Sequence, residues 1–175
     1  MKRIFLDDNI ILDYLINTRG QHKEAVDVIS NVKVNEIFCY SFGSISDITY
    51  IYENTYKLDK KEVMGFYENL SKSSKFKCLS ISDEYLRKSC EYVLNQISNN
   101  KKSDFEDTLQ YFCALENGCS CIITNDKNFP KLDIALIRTN PNLENYTPTN
   151  KANKTQAQEN KSVMDNILNF VRKNR

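Results

Sequence analysis

Hydrophobic and polar positions follow two periodicities along most of the chain, one typical of strands and the other of helices. Short apolar runs have the length and composition of buried strands at 3–6, 36–40, 76–81, 119–124 and 134–137. Between these runs apolar residues recur at helical spacing, which predicts helices beginning near Ile10, His22, Ser44, Lys60, Ser82 and Asp104. Strands alternating with helices indicate an α/β fold, with a mostly parallel sheet covered on both faces.

The pattern changes after Tyr146. Residues 147–161 contain almost nothing to bury, which predicts a flexible polar linker. From Ser162 to Arg175 one stripe of an amphipathic helix is formed by Val163, Met164, Ile167, Leu168 and Val171. The sequence therefore predicts a domain at 1–146, a linker at 147–161 and a C-terminal helix at 162–175.

Composition restricts the class of protein. A chain of 175 residues with 41% hydrophobic residues suffices for one domain with a core. Its apolar runs fall far short of the ~20 residues that a membrane span needs. The N-terminus places Asp7 and Asp8 where a signal peptide would continue its apolar stretch. We therefore expect a cytoplasmic protein without a membrane segment.

Cysteine and charge exclude other classes of site. Cys39, Cys113 and Cys121 lie inside apolar segments, which predicts buried free thiols. The chain has a single histidine, His22, which argues against a zinc site or a Ser-His-Asp triad.

The net charge of +1 provides no global attraction to nucleic acid. A polyanion would have to be bound by local lysines or by a metal ion.

Acidic residues follow several predicted strands. Asp7 and Asp8 come after the first strand, Asp47 comes after the second and Asp126 after the fourth, while Asp104 and Asp107 share a face at the start of a helix. Each has a structural explanation, since Asp8 could cap a helix, Asp126 could form an Asx turn, and Asp47 and Asp104 belong to patterns resembling capping boxes.

Together these acids indicate a metal site. Ligands bind beyond the carboxyl ends of the strands in open α/β sheets, and carboxylates brought together there repel one another unless a cation neutralises them. Oxygen ligands without His or Cys favour Mg²⁺ or Mn²⁺. Hydrolysis of a phosphodiester by a metal-activated water is the chemistry that fits best.

Four segments resemble the PIN-domain ribonucleases, a family that includes the VapC-type toxins of toxin–antitoxin pairs. The first is Ile4-Phe5-Leu6-Asp7-Asp8-Asn9, with Asp8 in place of the usual Thr; the second is Ser41 to Asp47, with Asp47 in place of the common Glu. The third is Asp104 to Asp107 followed by Ala114, and the fourth is Ile122 to Phe129, with Asn128 in place of a common Asp. The resemblance covers roughly residues 3–140.

The resemblance implies a three-layer α/β/α fold with strand order 3-2-1-4-5. It implies an Mg²⁺- or Mn²⁺-dependent endoribonuclease whose catalytic residues are Asp7, Asp47, Asp107 and Asp126. Of these, Asp7, Asp107 and Asp126 would bind the metal, with Asp104 and Asp47 as further candidates and Asn9, Ser41 and Thr124 as supporting polar groups.

The same resemblance implies partners. Near the predicted site, RNA phosphates could contact Lys101, Lys102, Lys127 and Lys131. It implies an antitoxin protein and a homodimer, the latter also suggested by the aromatic-rich segments Tyr50-Ile51-Tyr52 and Phe66-Tyr67.

Two alternatives remain open from the sequence. A PIN-like fold without catalysis would be an RNA- or protein-binding module, and Asp47 and Asn128 are the departures that favour it. A receiver-like signalling domain also begins with a strand ending in paired acids, with Asp83 after the third strand as its phosphate acceptor. A receiver domain would give no role to the acidic residues at 104–107 and at 126.

The C-terminal helix generates a first prediction. Fourteen residues are marginal as an isolated helix, so the apolar stripe at 163–171 needs a surface to cover. That surface belongs to a partner, to a neighbouring subunit or to the domain itself. If docking is external, deleting residues 147–175 leaves the melting temperature and metal binding nearly unchanged while weakening association. A large fall in the melting temperature of the truncated monomer would show that the helix is part of the fold.

Overall fold

The computed structural model describes residues 1–149, which form a five-stranded sheet and six helices. The strands are β1 (Lys2–Leu6), β2 (Glu36–Ser41), β3 (Phe76–Leu79), β4 (Cys121–Ile123) and β5 (Ala135–Ile137). The helices are α1 (Asp8–Leu15), α2 (His22–Ser30), α3 (Phe42–Asn54), α4 (Lys60–Lys72), α5 (Asp83–Ser98) and α6 (Phe105–Glu116). The predicted α/β pattern is confirmed.

The start of α3 differs from its prediction. The helix begins at Phe42, two residues before the predicted Ser44, because Ser41 rather than Ser44 is the N-cap. The Ser41 hydroxyl accepts a hydrogen bond from the backbone N–H of Ser44 at 3.1 Å. The pattern from Ser44 to Asp47 is therefore inside the helix and is not a capping box.

All neighbouring strands are parallel, in the order β3-β2-β1-β4-β5. Ile4 of the central strand lies opposite Phe38 of β2 on one side and Cys121 of β4 on the other. This is the order implied by the sequence resemblance. It also excludes the receiver alternative, because the flavodoxin-like order of receiver domains is 2-1-3-4-5.

Helices cover both faces of the sheet. Side chains of β1 alternate between two cores, with Ile4 and Leu6 packed against α1 to α4 and Phe5 packed against α6, and all three are fully buried. The alternation follows from the pleat of the strand, and burial on both faces explains why the run Ile4-Phe5-Leu6 of β1 is continuously apolar. The fold is therefore the predicted three-layer α/β/α arrangement.

The apolar stripe of α5 remains largely on the surface. Leu94 is 63% exposed and Ile97 is 61% exposed, whereas the one fully buried side chain of this helix is that of Ser89. The helix is attached through its other side, where Tyr85 packs on the core and Tyr92 makes an edge contact with Phe112 of α6. Helical spacing places Leu94 and Ile97 on one face of α5, and this face does not point to the core.

The structure confirms some of the remaining sequence predictions and leaves others untested. Cys39, Cys113 and Cys121 are buried free thiols, as predicted. In the aromatic segments that suggested a dimer, Tyr52 and Tyr67 belong to the core and Tyr50 is exposed. None of the helices within residues 1–149 is both long enough and apolar enough to cross a bilayer. The predicted C-terminal helix and all but the first three linker residues lie outside the described residues.

Burial of the central strand generates a prediction about stability. Phe5→Ala should lower the free energy of unfolding by ~3–5 kcal/mol, because it leaves a cavity in a site with no exposed surface. Phe42→Ala is the matched control, since Phe42 is 64% exposed, and its effect should stay within ~0.5 kcal/mol. Urea unfolding of both variants measures the difference, and equal effects would contradict the assignment of Phe5 to the core.

Candidate active site

The sheet topology brings Asp7 next to the segment that contains Asp126. Leu6 pairs with Ile123, so the residues that follow β1 and β4 leave the sheet side by side. The backbone N–H of Asp7 extends this pairing by donating to the carbonyl of Ile123 at 3.0 Å. Asp107 approaches from the first turn of α6. Three acids far apart in sequence therefore lie at one edge of the sheet.

Asp7 is almost completely buried, with 1% of its surface exposed. It occupies the N-cap position of α1, yet its side chain makes no capping hydrogen bond. Its carboxylate instead accepts from the Thr124 hydroxyl at 2.6 Å and from the Asn9 amide at 3.4 Å. Burial raises the pKa of Asp7 to about 6, against the lowering effect of these hydrogen bonds.

Thr124 also orients Asp126. The backbone N–H of Asp126 donates to the Thr124 hydroxyl oxygen at 3.0 Å, while the same hydroxyl donates to Asp7. One carboxylate oxygen of Asp126 accepts from the backbone N–H of Asn128 at 2.8 Å, which is the Asx turn considered from the sequence. The turn uses only one of the two carboxylate oxygens.

Asp104 and Asp107 have different roles within α6. Asp104 is the N-cap, and its carboxylate accepts from the backbone N–H groups of Glu106 and Asp107. Asp107 is buried, and its carboxyl interacts with that of Asp126. Burial raises the pKa of Asp107 to about 8, with further increases from the charges of Asp7 and Asp126. We call Asp7, Asp107 and Asp126 the acid cluster.

Asp47 belongs to a neighbouring group rather than to the acid cluster. Burial raises the pKa of Asp8 to about 8, and the charges of Asp7, Asp47 and Glu106 raise it further. Burial also raises the pKa of the half-buried Asp47. The Ser41 hydroxyl bonds to the Ser44 hydroxyl at 2.9 Å, and it is Ser44 that lowers the pKa of Asp8, so Ser41 reaches the acids only indirectly.

Arg138 is a buried cation beside the acid cluster that the sequence analysis did not identify. It is 3% exposed, and its Nη1 donates to the carbonyl oxygens of Thr124 at 2.8 Å and Asp126 at 2.6 Å. Burial lowers its pKa, while the charges of Asp126, Asp7 and Asp107 act in the opposite direction. Arg138 directly follows β5, so a search for bases as well as acids at strand ends would have found it.

Two cavities adjoin the acid cluster and share Asp126. The first has a volume of about 670 Å³ and is lined by Ile97, Lys101, Lys102, Ser103, Asp104, Asp107, Asp126 and Asn128. The second, of about 650 Å³, includes Arg19, Asn125 and Lys127. The exposed Lys131 lines neither cavity. Three of the four lysines singled out in the sequence are thus placed around Asp126.

The donor set of the acid cluster suits a hard divalent cation by its chemistry, because it consists of carboxylates, and the charge of Asp126 contributes to the raised pKa values of Asp7 and Asp107. Within residues 1–149, no group of three or more His, Cys, Asp or Glu side chains is arranged so that it could hold a metal ion.

The raised pKa values predict how stability depends on pH in the absence of metal. Asp7 and Asp107 keep their protons in the folded state up to about pH 6 and about pH 8, whereas both titrate at the ordinary value of 3.8 when unfolded. The folded state binds more protons in this range, so the free energy of unfolding falls as pH rises from ~4 to ~8. Asp107→Asn should flatten this dependence.

Urea unfolding in a chelating buffer at about pH 5 and about pH 8 measures the difference. Asp83→Asn is the matched control, since Asp83 is exposed and lies outside the acid cluster, and it should retain the wild-type pH dependence. A stability that increases over this range, or the same slope in Asp107→Asn, would contradict the electrostatic description.

The chain is similar to known proteins over most of its length. The sequence model of the PIN domain family matches residues 4–135. The "Ribonuclease VapC1" of Aquifex aeolicus (strain VF5) is 29% identical over 145 residues, covering 83% of this chain and 96% of that protein.

Solved structures share the fold. The structure of VapC20 from Mycobacterium tuberculosis, described as a sarcin-ricin loop cleaving toxin, superposes with a TM-score of 0.60 at 12% identity, covering 72% of this chain and 92% of that one. The structure of VapBC2 from Rickettsia felis, bound to a DNA fragment from its promoter, superposes with a TM-score of 0.57 at 13% identity. The match covers 78% of this chain and 98% of that one. Since the family model spans most of the sequence, the predicted resemblance is confirmed and the chain belongs to the PIN domain family.

Proposed function

We propose that this protein is an endoribonuclease that hydrolyses RNA phosphodiester bonds at the acid cluster, with Mg²⁺ or Mn²⁺ as its cofactor. The observation that carries the proposal is the convergence of three carboxylates, from the ends of β1 and β4 and from the start of α6, at the topological switch point of the sheet. The ribonuclease among its relatives supports the same activity.

Each polar residue near the cluster has a defined task in this proposal. Thr124 and Asn9 orient the carboxylate of Asp7, and Asp104 fixes the first turn of α6, from which Asp107 projects. A bound divalent cation would supply Lewis acidity, lowering the pKa of a water molecule and stabilising charge on the phosphate. Asp107, whose pKa burial raises to about 8, would have to lose its proton to solvent in order to hold the ion together with Asp7 and Asp126.

Asp47 takes an outer role in the proposal. Its electrostatic neighbours are Asp8 and Glu106, so it contributes negative charge beside the cluster rather than a direct ligand. Lys101 and Lys102 line the cavity shared with Asp107 and Asp126, and in this proposal they contact RNA phosphates. Lys127 lines the second cavity and has the same role there.

The proposal extends to the biological setting. The relatives named VapC, and the complexes named VapBC, support a role as the toxin of a toxin–antitoxin pair with a protein antitoxin as partner. We also propose a homodimer. Its support is the exposed apolar face of α5, with Leu94 and Ile97, rather than the aromatic segments, where Tyr52 and Tyr67 are buried in the core.

A second candidate is a PIN module that binds RNA or protein without cleaving it. Two observations favour it. No group of three or more His, Cys, Asp or Glu side chains in the described chain is arranged to hold a metal ion, and Asp47 and Asn128 stand where the motifs depart from the family pattern. Both candidates use the same surface, and cleavage separates them.

Substitution of Asp7 tests whether the acid cluster is the site of the proposed ribonuclease activity. Purified wild-type protein should cleave single-stranded RNA with Mg²⁺ or Mn²⁺ and lose this activity in EDTA, and Asp7→Asn should reduce cleavage to background. The variant should fold and be at least as stable at neutral pH, because it removes one of the mutually repelling carboxylates. Cleavage followed on gels, with melting temperature measured in parallel, separates loss of chemistry from loss of structure.

Asp83→Asn is the control for this experiment and should cleave at the wild-type rate, since Asp83 is an exposed residue of α5. Full activity in Asp7→Asn would refute the assignment of the acid cluster. RNA binding without cleavage in the wild type, at any concentration of either metal, would favour the binding module instead.

A further inference from the structure

A polar cavity of about 650 Å³ lies beside the acid cluster, between α1, the start of α2 and the segments that follow α3, β4 and β5. Asp126 is the single residue it shares with the lysine-lined cavity on the α6 side. Its size falls within the ~300–1,000 Å³ typical of ligand pockets. A nucleotide bound here would therefore be a direct neighbour of a phosphate at the acid cluster.

Arg19 gives this cavity a fixed array of hydrogen-bond donors. Its Nε donates to Asp13 at 2.5 Å, its Nη1 to the Tyr56 hydroxyl at 2.9 Å and its Nη2 to Asn9 at 3.3 Å. Asp13 is 3% exposed, so the guanidinium is anchored to a buried charge. A guanidinium has five N–H groups, and three of them make these bonds. Two donors remain on a group that cannot easily turn.

Asn125 connects this array to the sheet. Its amide nitrogen donates to the second oxygen of Asp13 at 3.3 Å and to the Thr139 hydroxyl at 2.8 Å, and its amide oxygen accepts from the backbone N–H groups of Thr139 and Asn140. One side chain thus joins α1 to the ends of β4 and β5. A wall held in this way loses little conformational entropy when a ligand binds.

Gln21 adds an acceptor to the same cavity. It lines the wall, and its side-chain oxygen is buried without a hydrogen-bond partner among the described residues. An unsatisfied buried acceptor is unfavourable, and a ligand that donates a hydrogen bond removes that cost. Stability of the fold explains the bonds of Arg19 to Asp13, but it does not explain two free donors and a free acceptor in one cavity.

We propose that this cavity is a nucleotide subsite that selects guanine next to the scissile phosphate; this inference rests on the proposed ribonuclease function. Guanine carries two adjacent acceptors, O6 and N7, which match the remaining N–H donors of Arg19. Its N–H groups match the acceptor of Gln21 after a rotation of that side chain. Adenine carries a donor beside N7, which would face the donors of Arg19.

The two cavities then divide recognition between them. Lys101 and Lys102 contact phosphates on the α6 side, which gives affinity that depends on salt and is independent of sequence. Arg19 selects a base because its guanidinium is held by three hydrogen bonds, and the unpaired acceptor of Gln21 adds to this selection in the same cavity. Base preference and salt dependence should therefore respond to different substitutions.

The experiment measures binding of GMP, AMP, CMP and UMP separately to the full-length, metal-free protein, by NMR titration of the Asn and Gln side-chain amides. GMP should bind most tightly and should shift the signals of Gln21 and Asn125. Arg19→Lys keeps the charge but loses the planar fork, and it should weaken GMP binding by about 10-fold or more. Gln21→Ala removes an acceptor that bonds to nothing in the described chain, so it should reduce the GMP preference without loss of melting temperature.

Lys102→Ala is the matched control. It should weaken binding of a short RNA at low salt and reduce the salt dependence, while the order of the four nucleotides stays unchanged. Equal affinity for the four nucleotides, or a GMP preference that survives both Arg19→Lys and Gln21→Ala, would overturn the subsite.

Failure of the subsite and failure of the ribonuclease give different results. Selective GMP binding by a protein that cleaves no RNA would support the subsite and refute the ribonuclease. Cleavage at sites without guanine preference, by a protein that binds the four nucleotides equally, would refute the subsite alone.

Discussion

The hydrogen bond from Thr124 to Asp7 joins the carboxyl ends of the two central strands, and the candidate site depends on it. It forms where the strand order reverses, between β1 and β4, so that segments leaving the sheet there turn in different directions and leave a crevice. The same hydroxyl accepts from the backbone of Asp126. A single buried side chain therefore sets the positions of two acids that are more than a hundred residues apart in sequence.

The electrostatic state of this crevice is unfavourable without a cation. Burial and mutual repulsion raise the pKa values of Asp7, Asp8 and Asp107. Arg138 provides a buried positive charge, and its guanidinium donates to the backbone carbonyl of Asp126. Active sites commonly retain such strain at the expense of stability. The rest of the domain tolerates it because Ile4, Phe5 and Leu6 of the central strand are fully buried between two cores.

The cations around the site are of two kinds, and the difference has physical consequences. Lys101, Lys102 and Lys127 are exposed and free to follow a flexible polyanion. Arg19 is fixed by Asp13, Tyr56 and Asn9, and Arg138 is bonded to backbone carbonyls. Mobile lysines suit phosphates at variable positions, whereas a fixed guanidinium suits a group of defined shape.

The spacing of apolar residues was sufficient to predict the elements of the fold, because the periodicities of strands and helices depend only on residues close together in sequence. It also placed Asp7 and Asp126 beyond strand ends and Asp107 on a helix start. The family resemblance supplied the strand order 3-2-1-4-5, which the topology confirms. Pattern could not show that Asp47 would join Asp8 rather than the acid cluster, because this depends on how α3 lies against the sheet.

Tertiary structure alone decided the remaining features. The periodicity of α5 shows which residues share a face, but only packing against α6 decides that Leu94 and Ile97 stay exposed. The bond from Asn125 to Asp13 joins residues distant in sequence, and the environment of Arg138 is formed by segments that meet only at the edge of the sheet. Sequence determined the elements and the acids at their ends, since these depend on local chain geometry. Burial, pairing and charge balance depend on distant segments, and only the folded chain brings those segments together.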